Sequence, residues 1–114
     1  INGSTGVIAD GAGNELGYKG LPSASVTTGA FVAADRGKCV FATGGVTVPN
    51  STMSGGDIVV IQNTTGSSIT ITASITTLRQ TGTANTGNRT LLAYGRCSIL
   101  FQSGTVAFIS GDVT

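Results

Sequence analysis

The feature that most narrows what this chain can become is the rhythm of residues 56–114, GDIVVIQNTTGSSITITASITTLRQTGTANTGNRTLLAYGRCSILFQSGTVAFISGDVT. Short runs of Val, Ile, Leu and Thr are cut by Gly, Ser, Thr and Asn. Turn signals recur about every 8–12 residues, the spacing of an all-β sandwich or barrel. No long stretch keeps the 3.6-residue apolar period of a helix. The expected fold is therefore all-β: a compact antiparallel β-sandwich or small barrel of short strands, with at most one or two helical turns.

The 114 residues fit one domain. A chain of this size buries roughly 60–70% of the surface its unfolded form exposes, enough for a single modest core. Hydrophobic residues make up 39% of the chain but aromatic ones only 5%, so that core must be built from β-branched side chains and Ala. The 18 glycines point to many tight turns.

Along the chain, residues 1–20 hold one short apolar patch around Val7 and Ile8 and otherwise turn residues; they read as an extended N-terminal arm. Residues 21–114 read as the β module. Residues 25–32 carry strand-forming residues broken at Gly29. Residues 33–37 have the look of a helical turn, closed by Gly37 in the left-handed conformation. Residues 38–42 alternate, with Cys39 and Phe41 on one face. Residues 46–48 form a strand stopped by Pro49. Residues 57–63 are the most apolar strand and central, followed by a hairpin loop at 64–67. In 68–72, Ile69 and Ile71 face one way, Thr70 and Thr72 the other. Strands at 75–80, 89–92, 96–102 and 106–110 complete the series, with a loop over 81–87 and turns at Tyr94-Gly95 and Ser103-Gly104.

Net charge is +1, and Lys19, Arg36, Lys38, Arg79, Arg89 and Arg96 are scattered. A nucleic-acid footprint needs clustered cations, so no nucleic-acid partner is expected. No apolar run nears the ~20 residues of a membrane helix, and no membrane partner is expected. There is no leader pattern, and a first residue of Ile suggests a fragment or a processed product. Near-zero charge with apolar character favours an oligomer or a place in a larger assembly. Cys39 and Cys97 each sit mid-strand. They read as two buried free thiols acting as small hydrophobes, with a disulfide between neighbouring strands as the alternative.

Reactive chemistry is sparse. With no His, acid–base work would fall to Asp10, Glu15, Asp35, Asp57 or Asp112. These lie mostly in loops beside Gly, where a carboxylate caps its own turn. No Ser occupies a nucleophile elbow, and no phosphate loop is present. Residues 10–15 bunch Asp10, Asn14 and Glu15 but fall short of a calcium loop and read as a solvated turn. The triplets beginning at Asn2, Asn50, Asn63 and Asn88 are what chance produces in an Asn- and Thr-rich chain. The expectation is a non-enzyme without cofactor or metal. Candidate subunit or partner contacts are Val7, Ile8, Tyr18, Arg79, Arg89 and Tyr94. Tyr94 reads as the anchor of a turn, in the core or at a subunit seam. Arg89 reads as holding the preceding loop by bonding its carbonyls.

The segments LPSASVTTGAFVAADRGKCVFATGGVTVP, GDIVVIQNTTGSSITIT and TLRQTGTANTGNRTLLAYGRCSILFQSGTVAFISGD together resemble a domain of tailed-bacteriophage virion proteins, of the head-fibre or decoration and tail-fibre type. The marks are the AADRGK turn, the VTVP strand, the TLRQTGTANTGNRTLLAYGR segment and the closing FISGD, over roughly 17–114. The resemblance implies a compact β module on the virion surface, assembled in the bacterial host cytoplasm. It implies a homotrimer whose other partners are major capsid or tail proteins. The function it implies is structural, by oligomeric docking rather than catalysis. The alternative is a receptor- or glycan-binding tip domain of a tail fibre, against which the low aromatic count argues. Within this reading, the TGTANTGNRTLLAYGR loop and strand is the first place to expect a subunit contact.

Overall fold

The computed structural model describes residues 21–24 and 26–114. The N-terminal arm reading and the candidate contacts Val7, Ile8 and Tyr18 lie outside the described residues.

Among the described residues nine short strands form two facing sheets: β1 (Gly29–Ala30), β2 (Cys39–Ala42), β3 (Val46–Val48), β4 (Ile58–Asn63), β5 (Ile69–Ala73), β6 (Thr77–Gln80), β7 (Arg89–Leu91), β8 (Arg96–Phe101) and β9 (Val106–Gly111). One sheet has the order β1-β3-β5-β7, the other β2-β4-β8-β9-β6. The helical content among the described residues is one 3-10 turn, Ala33–Asp35. It ends as expected, with Gly37 at φ 71°.

The sheets are mixed, which corrects the antiparallel expectation. Between the named strands four pairs are parallel (β1/β3, β2/β4, β3/β5, β6/β9) and three antiparallel (β4/β8, β5/β7, β8/β9). The reason lies in the loops.

 From β1 to β5 successive strands cross from one sheet to the other, so the chain winds as a flattened coil and each turn lays a strand parallel to the last. Residues 64–67, expected as a hairpin loop, join β4 in one sheet to β5 in the other. A short turn of Thr, Gly and Ser serves a crossover between facing sheets as well as a hairpin. Among the described residues, consecutive strands form a hairpin only at β8–β9.

Of the strand expected over 25–32, the described residues 26–32 yield the two-residue β1, and the strand expected from residue 75 begins at Thr77. The other expected strands lie within a residue or two of the observed ones.

The core sits between the sheets. Val40, Val59, Ile61, Cys97, Ile99 and Ile109 point inward from the five-stranded sheet, and Val46, Val48, Ile71 and Leu91 from the four-stranded one, all buried. Phe31 and Phe101 meet edge to face, with centroids 6.3 Å apart. Three sheet edges are covered by the chain itself. Beside β2, the Ala24 amide donates to the Cys39 carbonyl (2.8 Å) and the Cys39 amide to the Pro22 carbonyl (2.9 Å). Beside β6, the Gln80 amide donates to the Asn85 carbonyl (3.0 Å) and the Gly87 amide to the Leu78 carbonyl (3.0 Å). Beside β7, Thr90 and Thr114 exchange amide–carbonyl bonds of 3.1 and 3.0 Å. Covered edges remove a template for aggregation.

Candidate functional site

The two sheets differ on their outer faces. On the four-stranded sheet the outward residues are Ala30, Thr47, Thr70, Thr72 and Thr90, a mainly polar surface. On the five-stranded sheet, cross-strand register builds three outward rows. Phe41, Gln62 and Arg96 form the first; Cys39, Val60, Ser98 and Ser110 the second; Ile58, Leu100, Phe108 and Arg79 the third. Phe41 is 45% exposed, Ile58 41% and Leu100 50%. This sheet therefore carries large apolar side chains on its outer face as well as its inner one, mixed outside with Gln62, Arg79, Arg96, Ser98 and Ser110; strands buried on both faces show such apolar runs.

The middle row is a trough of small side chains between two taller rows. It holds two hollows, one of about 240 Å³ against Ser98 and Ser110, the other of about 390 Å³ against Leu21, Cys39 and Phe41. Sequence reasoning placed Cys39 and Phe41 together but missed the rest of this face. The signal was available: Ile58 to Ile61 are apolar at both parities of the strand, as a strand covered on both faces would be.

A second cluster is built by turns. Asn63 is fully buried at the end of β4. Its Nδ2 donates to the Ser67 carbonyl (2.8 Å) and the Leu92 carbonyl (3.0 Å). Its Oδ1 accepts from the Thr65 amide (2.9 Å) and the Thr65 hydroxyl (2.8 Å). One amide thus ties the 64–67 turn to the 92–95 turn. Tyr94 sits in the latter at φ 55° and is 70% exposed. The turn expected at Tyr94-Gly95 is present, but the ring is not in the core; it lies beside Gly66 at the surface.

Arg89 holds its loop as expected. Its Nε donates to the Asn88 carbonyl (2.8 Å), and its terminal nitrogens to the Thr86 carbonyl (3.3 Å) and Gln80 Oε1 (3.2 Å). Arg79 points outward from β6 and its backbone bridges to Thr86 of the same loop. Arg79 and Arg89 thus flank one loop, while Tyr94 belongs to the Asn63 cluster.

The three described carboxylates each accept a backbone amide, as turn-capping residues do. Asp35 takes the amide of Val32, Asp57 that of Ser54 and Asp112 that of Arg96, at 2.9, 2.9 and 3.0 Å.

The thiols are free. Cys97 points into the core from β8. Cys39 points outward from β2 and is only half-buried, which corrects the expectation that both are buried. They lie on opposite faces of one sheet with β4 between their strands, so they cannot pair. Burial raises the Cys39 thiol, opposed by the Arg96 charge. Burial pushes Cys97 up to about 12, and the Asp112 charge adds in the same direction. The folded state therefore favours the neutral Cys97 thiol. Its contribution to stability is whole below the ordinary value of 9.0 and drains as pH rises from there toward about 12. Urea unfolding of wild type and Cys97→Val between pH 8 and 11 should show wild type losing up to ~1.4 kcal/mol more per pH unit above 9. Parallel losses in the two proteins would refute this assignment.

Compared with protein-family models, curated proteins and solved structures, the chain matches none.

Proposed function

We propose that the chain is a structural module of a bacteriophage virion, of the capsid-decoration, head-fibre or tail-fibre type, working as a homotrimer docked on capsid or tail proteins. The observation that carries the reading is the five-stranded sheet with apolar side chains on both faces, one of them open. Such a face is stabilised by association, at about 25 cal/mol per Å² of apolar surface removed from water. The buried polar side chains among the described residues, Asn63 and Asp35, are engaged by backbone groups of turns. The segment resemblance supplies the setting.

The test has two parts. Sedimentation equilibrium of the chain should give three times its 11.3 kDa mass. Reconstruction of particles carrying it should show threefold density on the shell or a fibre. Its absence, by mass spectrometry, from purified particles of the phage or prophage encoding it would overturn the reading.

A further inference from the structure

A relay of hydrogen bonds positions Arg96 and leaves its outer end open. Gln62 Nε2 donates to the carbonyls of Asn63 (3.0 Å), Tyr94 (3.0 Å) and Gly95 (3.2 Å). Those three acceptors decide which way the amide faces and leave Oε1 as its acceptor. Oε1 receives Arg96 Nε at 2.8 Å. The guanidinium so held lines both hollows of the trough. Its charge is felt inside the larger one, where it opposes the burial that raises the Cys39 thiol. Its terminal nitrogens carry four further N–H groups. Among the described residues no hydrogen bond or ion pair engages them. The wall of the larger hollow, about 390 Å³, includes Leu21, Phe41 and Val60. No outward residue of the five strands is a carboxylate, and the other cation, Arg79, stands apart on the edge strand β6.

We propose that Arg96 and this hollow form a binding site for a small organic acid, its carboxylate on the terminal nitrogens of Arg96 and its apolar body against Leu21, Phe41 and Val60. Charge complementarity selects the anion, since the face offers a cation and no carboxylate to oppose it. A carboxylate suits the guanidinium, because its two oxygens can each accept one N–H from the planar group. The bond to Gln62 supplies the orientation beforehand, so less side-chain freedom is lost on binding. The apolar wall favours an acid with an apolar body over a bare inorganic anion. A volume of about 390 Å³ lies at the small end of ligand sites. All the groups belong to one chain, so the inference goes beyond the virion reading and needs neither a second copy nor a capsid protein.

The test is an NMR titration of the isotope-labelled chain at neutral pH, following its backbone amides. The probes are phenylacetate, its neutral analogue phenylacetamide, and acetate, which lacks the apolar body. Phenylacetate should shift the amides of Phe41, Val60, Gln62 and Arg96 with a Kd on the order of 1 mM. Phenylacetamide and acetate should each bind at least about fivefold more weakly, the first for want of charge and the second for want of apolar contact. Arg96→Gln should weaken phenylacetate at least about fivefold. Arg79→Gln, which removes the same charge from elsewhere on the same face, should bind as wild type does. No saturable shift in wild type up to about 10 mM phenylacetate, or equal binding by wild type and Arg96→Gln, would overturn the inference and leave the proposed function standing. An equal loss in Arg79→Gln would show attraction by net charge alone and overturn it too. If Arg96→Gln loses the dispersed spectrum of a folded chain, the three probes on wild type decide. Preference for phenylacetate over both others supports the site, and affinity equal to that of either overturns it.

Discussion

Gly111→Ala should cost most of the stability of this domain. Gly111 closes β9 at φ 126°, a conformation that L side chains rarely adopt. A Cβ there would come within 2.8 Å of Cys97 Cα and still closer to the Arg96 carbonyl oxygen. Both obstacles are backbone of the adjoining β8, so no side chain can swing aside. Strain of about 1–3 kcal/mol for the dihedral alone adds to the cost of parting β8 from β9. The total should be at least about 4 kcal/mol, against a typical domain stability of about 5–15. Gly82→Ala is the control. It also has positive φ, 75°, but a Cβ there meets open space, so it should cost about 1 kcal/mol. Urea midpoints of the two variants check the claim. Equal losses would mean that the approach of β8 to β9 is not what requires Gly111.

Asn63→Ala should cost about 3 kcal/mol and act on both turns at once. It removes a buried amide making four hydrogen bonds. The Ser67 and Leu92 carbonyls lose their donor, and each buried polar group left unpaired costs about 1–3 kcal/mol. Asn63→Asp should be no better, because a carboxylate would turn an acceptor toward two carbonyls that now receive a donor. Denaturation gives the magnitude, and amide exchange gives the specificity. Thr65 and Tyr94 should both lose protection, since the Tyr94 amide donates to the Thr65 carbonyl at 3.0 Å. Loss confined to one turn would contradict a shared tie.

Much of the strand set was legible because alternation fixes which residues face inward. Ile69 and Ile71 against Thr70 and Thr72 sort themselves without knowledge of their partners, and Gly37 marks the end of the 3-10 turn. Pairing was not legible. The residues at 64–67 turn the chain whether the next strand lies beside the last or across the core, and only the rest of the fold decides. Asn63 read as a chance triplet because burial, which makes its amide matter, depends on Ser67 and Leu92 arriving around it. The apolar outer face was half visible, in the unbroken run from Ile58 to Ile61. Its third row required the register that sets Ile58 beside Leu100 and Leu100 beside Phe108, residues far apart in the chain.

The strand order also sets a schedule for biosynthesis. β6 joins its sheet through β9 alone, and β9 follows the other eight strands in chain order. β4 obtains its second neighbour only when β8 is made. A ribosome that has produced residues 21–95 has therefore supplied seven of the strands but left one of them, β6, with no sheet neighbour, and β4 with an open side. Completion of this sheet waits on β8 and β9, and long-range pairing of this kind is intrinsically slow. The coil formed by β1 to β5 can gather early, while closure of the five-stranded sheet, and with it the apolar outer surface, waits until β8 and β9 have been made.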